Sequence, residues 1–171
     1  MSKTAVLYKS KYGFTKQFAR WIEEDTGGDL FELTKVATEE LGRYDTIIMG
    51  GGIYAGGIRG MPLIKKIFTR LSTKKVILFS VGSSASGQKN TEMIKARNLT
   101  QEMQNSVPFF YFRGGLDYPA MKTLDRACMN LMASMVRKKD EDARSAEEKE
   151  LLAFHGTKVS FLDHASLAPL I

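Results

Sequence analysis

Hydroxyls, amines and a glycine crowd one short stretch near the start of the chain, Lys9-Ser10-Lys11-Tyr12-Gly13-Phe14-Thr15-Lys16. A phosphate monoester is a small dianion with three acceptor oxygens. It suits a helix N-terminus, where backbone N–H groups lack partners and the helix dipole is positive. Ser10 and Thr15 can donate hydroxyls from either side of such a turn, and Gly13 lets the backbone bend tightly. Lys11 or Lys16 adds charge. The P-loop pattern G-x-x-x-x-G-K-[ST] is missing, and no G-x-G-x-x-G follows the first apolar run. A phosphoacceptor receiver domain would need acidic residues here, where the chain has Lys and Ser. The competing reading is a capped turn with Thr15 as its N-cap.

Two further stretches bear on that choice. In "GGGIYAGGIRG", residues 50–60, six of eleven residues are glycine around one tyrosine. Such a backbone can approach a flat ligand closely, and Tyr54 can stack on it. In "SVGSSASG", residues 80–87, small residues offer amides and hydroxyls without bulk. Either alone reads as an ordinary flexible turn. With the first stretch they make a cradle for a planar ring bearing one terminal phosphate, and FMN is such a ligand. The expected phosphate contacts are Ser10, Lys11, Tyr12, Gly13, Phe14, Thr15 and Lys16. The expected ring contacts are Gly52, Ile53, Tyr54, Ala55 and Gly56 on one side and Val81, Gly82, Ser83 and Ser84 on the other.

These stretches work together only if the fold brings them to one edge. Four short, continuously apolar runs read as strands buried on both faces: 4–8, 46–51, 75–81 and 107–112. A weaker strand fits 29–33. Between them lie helical patterns. Phe14, Phe18, Trp21 and Ile22 form one stripe that stops at Gly27-Gly28. A second helix is expected over about 59–71 with Pro62 in its first turn, and a third over about 88–105. A fourth is expected from near Pro119, with Met121, Leu124, Cys128, Leu131, Met132 and Met135 on one face. Strands alternating with helices give an α/β fold: a doubly wound, five-stranded parallel sheet with helices on both faces, order 2-1-3-4-5. In such sheets ligands bind beyond the carboxyl ends of the strands, where all three stretches fall.

On these residues the chain resembles the flavodoxin family. "LYKSKYGFTKQFA" is similar to the family's FMN-phosphate loop, with Ser10, Gly13 and Thr15 at matching positions. "GGGIYAGG" and "SVGSSASG" are similar to its flavin-ring loops. The resemblance spans roughly residues 3–135. "YFRGGLDYPAMKTLDRACMNLMASMVRK" further resembles the corresponding segment of menaquinone-dependent protoporphyrinogen oxidases. That resemblance implies an FMN-dependent oxidoreductase, protoporphyrinogen-oxidase-like or quinone-linked. The alternative is an electron-transfer carrier with no substrate of its own. In either case the flavin does the chemistry and no acid/base residue of the chain is invoked. The implied partner is a redox protein, a quinone or a small organic substrate.

The totals agree with a globular chain. It has 171 residues, 43% of them hydrophobic, which favours one domain with residues 140–171 packing back on the core. Net charge is +6, carried mostly by residues 1–85, whose 13 basic and 8 acidic side chains leave +5. That balance sits poorly with a simple carrier of the usual acidic kind. It leaves a peripheral contact with an anionic membrane open, although no run is long enough to cross one. No basic patch interleaved with aromatics points to nucleic acid. A single cysteine, Cys128, excludes an internal disulfide and fits the cytoplasm.

Other reactive residues have blander readings. Cys128 is expected to be a buried structural thiol. His155 and His164 lack the companions of a metal site. Trp21 is expected to pack. The methionines of the fourth helix read as core rather than as the wall of a site. Arg113 and Tyr118 are candidates to hold a substrate, set against a surface Arg and a turn Tyr.

Overall fold

In the computed structural model, which describes residues 3–71 and 73–171, the apolar runs become the strands of a parallel sheet. β1 (Thr4–Lys9), β2 (Asp29–Glu32), β3 (Thr46–Tyr54), β5 (Lys75–Gly82) and β6 (Phe109–Arg113) pair in the order β2-β1-β3-β5-β6. Every pairing along that path is parallel. This is the expected order, with the intervening β4 (Gly57–Ile58) added as a short antiparallel partner of β3. The run at 46–51 extends to Tyr54 because Ile53 and Tyr54 pair with Ile58 and Gly57. Much of the glycine stretch is therefore strand and hairpin rather than open loop.

Side chains along each strand alternate between two cores, as the pleat requires. Ala5 and Leu7 of β1, Ile47 and Met49 of β3, and Val76 and Leu78 of β5 pack with α2 (Met61–Phe68), α3 (Gln88–Asn98) and α4 (Gln101–Ser106). Val6, Ile48, Ile77, Phe79 and Val81 point the other way, onto Phe18 and Ile22 of α1 (Phe14–Thr26). Gly50 is needed where it is: a Cβ there would lie 2.2 Å from the Phe79 ring.

The expected helix over 88–105 is two helices. Leu99 leaves helical geometry, and the Thr100 side chain accepts from the Met103 N–H to cap α4 afresh. The expected helix near Pro119 starts later, as α5 (Thr123–Arg137). Most of α5 lies outside both cores. Only Asp125, Ala133 and Val136 of it are buried, while Leu124, Leu131, Met132 and Met135 are more than half exposed. The core reading of the methionine stripe is thereby corrected, and so is that of Cys128, whose thiol is exposed.

The apolar place beside α1 is filled from the end of the chain instead. Leu167 and Leu170 are buried against the second core, with Leu162 packed beside them. The chain reaches that place through α6 (Ala146–Phe154), whose first turn is a complete capping box between Ser145 and Glu148. It then passes through β8 (Lys158–Ser160), antiparallel to β7 (Gly115–Asp117). The charge run at 137–150 accordingly holds the end of α5 and the start of α6. Arg144 bridges them by donating to the carbonyls of Val136, Arg137 and Lys139.

Candidate cofactor-binding site

The end of β1 passes into α1 through a turn that Ser10 closes, its Oγ accepting from the Gly13 N–H at 3.1 Å. Gly13 is the helix N-cap with φ +94°, a left-handed conformation that a side chain would strain. The first helical bond runs from the Gln17 N–H to the Gly13 carbonyl. The N–H groups of Phe14, Thr15 and Lys16 therefore have no intrahelical acceptor. Thr15 is buried and makes no capping bond, so the capped-turn reading with Thr15 as N-cap is not what the chain adopts. Its hydroxyl faces Gly52, where a Cβ would sit 3.0 Å from Thr15 Oγ1.

The second stretch is a tight hairpin. Ala55 and Gly56 both take positive φ, +49° and +79°, as a two-residue turn of this kind demands. Side chains of α3 clamp it. Asn98, almost fully buried, accepts from the Ile58 N–H and donates to the Gly56 carbonyl. Arg97 donates to the carbonyl of Ala55. The third stretch leaves β5 at Gly82, where a Cβ would meet Tyr111 Oη at 2.8 Å. Tyr111 donates to the Ser84 carbonyl at 2.8 Å, and burial pushes its phenol up to about 12.

These parts line one cavity of about 490 Å³, within the usual range for a small-molecule site. Ser10, Lys11, Tyr12, Phe14 and Thr15 line it together with Gly52 to Gly56 and Val81 to Ser84. Of the expected cofactor contacts only Gly13 and the exposed Lys16 do not line it. Arg113 and Tyr118 lie outside as well. Arg113 donates to the Ser83 carbonyl, pairs with Glu150 at 2.6 Å and covers the Phe161 ring. Tyr118 bonds Asn130 and stands against His155. The remaining tempting residues have local partners: Trp21 packs edge-on against Phe18, and His164 meets Asp25 at 2.8 Å. Among the described residues no group of three or more His, Cys, Asp or Glu gathers to hold a metal.

Several lining residues were not anticipated. Met121, just ahead of α5, and Cys128, Met129 and Met132 of α5, with Met93 of α3, make an apolar wall. Asp125, on the same helix, is almost wholly buried. Its carboxylate accepts from Lys11 Nζ at 2.5 Å, from the Tyr54 hydroxyl at 2.6 Å and from the Tyr12 hydroxyl. Lys11, then the two tyrosines, hold this carboxyl well below the usual range. In return Asp125 raises the Lys11 ammonium and the Tyr54 phenol, while burial and then Asp125 raise that of Tyr12. Asp125 had a legible signal: an acid four residues from Met121 and from Met129 on an apolar stripe must find partners or stay wet. Arg59 also lines the cavity, and its sequence context, an Arg between glycine turns, gave no comparable cue.

The sequence of residues 5–144 matches the family described as flavodoxin domain. The chain belongs to the flavodoxin-domain family. Among solved structures, this flavodoxin-domain chain is similar to a flavodoxin, WrbA-like protein from Agrobacterium tumefaciens. The two are 21% identical over 63% of this chain and 76% of that one, with a TM-score of 0.46. It is also similar to oxidised Flavodoxin 2 from Bacillus cereus, at 21% identity over 76% and 94% and a TM-score of 0.42. A third is the two-electron reduced flavodoxin of Megasphaera elsdenii, at 18% identity over 64% and 85% and a TM-score of 0.45. None of the curated proteins compared with the chain matches it. No helix among the described residues is long and apolar enough to cross a membrane.

Proposed function

We propose that this flavodoxin-domain protein binds FMN in the cavity and acts as an oxidoreductase on a flat apolar substrate, quinone-linked or protoporphyrinogen-oxidase-like. The observation that carries the reading is the convergence of three strand-end segments on one cavity. A helix N-terminus with unpaired N–H groups stands at one end, and two small-residue segments flank the rest. The donor set fits the group. Ser10 and Thr15 and the N–H groups of residues 14–16 would hold the phosphate. Gly52, Gly56 and Gly82 line the cavity with backbone alone, and their packing against Thr15, Arg97 and Tyr111 leaves no place for a side chain. Bound FMN would supply one- and two-electron chemistry.

The chain's own residues orient and shield. Tyr54 stands over the ring site, held by its bond to Asp125. Tyr111, tied to Ser84, fixes the segment on the other side. The wall of Met93, Met129 and Met132 is flexible and polarizable, suited to a flat hydrophobic molecule. That wall favours an enzyme over a carrier, which needs only an exposed flavin edge and a charged docking rim.

The test starts with the visible absorption of the purified protein and identification of whatever heating releases. A yellow protein that releases FMN, or a colourless one that takes up added FMN, is the expected result. A colourless protein that does not bind FMN would overturn the reading. Anaerobic reoxidation of the reduced holoprotein by menaquinone, and turnover of protoporphyrinogen, then separate enzyme from carrier. Inactivity with both leaves the carrier.

A further inference from the structure

Two cations line the cavity beside the Tyr54 ring, and they differ in one respect. Lys11 Nζ lies 4.3 Å from the ring centroid and is answered by Asp125 at 2.5 Å. The Arg59 guanidinium lies 5.7 Å from the same centroid. Among the described residues it pairs with no carboxylate, and its Nε is buried without any hydrogen-bond partner. Buried N–H groups are nearly always bonded, and one attached to a full charge is the costliest to leave unmet. The cavity is thus short of one anion, on the Arg59 side.

The backbone places Arg59 against the phosphate end. Its N–H donates to the Gly52 carbonyl at 2.9 Å, and Gly52 is the residue that faces Thr15 Oγ1. A Cβ on the next residue, Gly60, would lie 3.3 Å from Lys9 Cβ, at the start of the phosphate loop. Gly51 permits the approach, since a Cβ there would meet the Arg59 carbonyl at 2.2 Å. The Arg59 backbone is therefore held beside Gly52, which faces Thr15, and next to Gly60, which faces Lys9, while its guanidinium reaches the cavity beside Tyr54.

We infer that Arg59 is the counter-ion of the FMN phosphate, adding a charged fork to a cradle otherwise made of hydroxyls and amides. The inference rests on the FMN reading above. A phosphate monoester offers three acceptor oxygens and matches the planar guanidinium with two parallel bonds. The Lys11 charge is already matched by the Asp125 carboxylate, whereas Arg59 has no such partner among the described residues.

The experiment titrates the flavin-free protein with FMN and with riboflavin, which carries the same ring and no phosphate, following quenching of flavin fluorescence. In Arg59→Gln, FMN affinity is expected to fall by about 10- to 100-fold, with riboflavin affinity changed less than about twofold and a shallower salt dependence for FMN. Arg59→Lys keeps the charge and the stem, so it serves if Arg59→Gln fails to fold. It is expected to lose FMN affinity by a smaller factor and to leave riboflavin untouched. Equal losses for both flavins in Arg59→Lys would overturn the inference, since Arg59 would then serve the ring or the fold. An unchanged FMN affinity in Arg59→Gln would overturn it too. A wild-type protein that binds neither flavin overturns the FMN reading itself, and this inference with it.

Discussion

Replacing Asp125 with Asn keeps the shape of the side chain and removes its charge. In the native protein three donors converge on that carboxylate, one an ammonium and two phenols. A hydrogen bond to a charged group contributes about 1.5–3 kcal/mol against about 0.5–1.5 for a neutral one. Neutralisation therefore costs about 1 kcal/mol for each of the three. The Lys11 side chain keeps 21% of its exposure, so water recovers part of its share, and a net loss of about 2–3 kcal/mol follows. At about 2–4 °C per kcal/mol for a chain of this size, Asp125→Asn should melt about 4–12 °C below the wild type at pH 7, read by circular dichroism. The pH dependence sharpens the test. Because the folded carboxyl titrates below its ordinary value, its stabilising contribution is present above that value and is lost as pH falls through the folded one. The gap between wild type and variant should hold from pH 7 down to about 4 and narrow below it, where the unfolded aspartate takes up its proton first. A gap under about 1 °C at pH 7, or one that widens below pH 4, would refute the account of Asp125 as a buried hub.

Two further perturbations reach parts of the fold away from that hub. Ser80 is fully buried and its hydroxyl makes no hydrogen bond, so Ser80→Ala should be neutral or stabilising by up to about 1 kcal/mol in urea unfolding; a loss above that would mean the hydroxyl has a partner. Tyr111 should ionise near pH 12, a step in the phenolate absorbance that disappears in Tyr111→Phe. The unfolded chain loses that proton near pH 10, so stability should fall as pH rises from about 10 to 12.

The strands, and the segments that line the cavity, could be read from the sequence because each carries a local signal. "TAVLY" and "KVILFSV" are apolar without interruption, as strands covered on both faces must be, and the loops that follow them are where such sheets bind ligands. The break at Leu99 was invisible to periodicity because the new helix is announced only by Thr100 acting as a cap. The placement of α5 was misjudged for a different reason. Met121, Leu124, Cys128, Leu131 and Met132 have the spacing of a core stripe, and spacing cannot say whether a core is available. Here Leu167 and Leu170, more than thirty positions further along, had taken it. The stripe could flag Asp125 as an acid in need of partners, but not name them, because Lys11, Tyr12 and Tyr54 meet it only in three dimensions; Arg59 carried no local cue at all.

That late arrival of Leu167 and Leu170 bears on how the protein is made. Chains emerge from the ribosome N-terminus first, and their folding units assemble in that order. By residue 113 every strand of the main sheet has been synthesised. Yet the face bearing Phe18, Phe79 and Phe112 still waits for the leucines that seal it. While residues 114–161 are being added, the nascent chain carries a completed sheet with one greasy side open. That interval is when it would need a chaperone, and when a slow or stalled translation would most readily send it into aggregates.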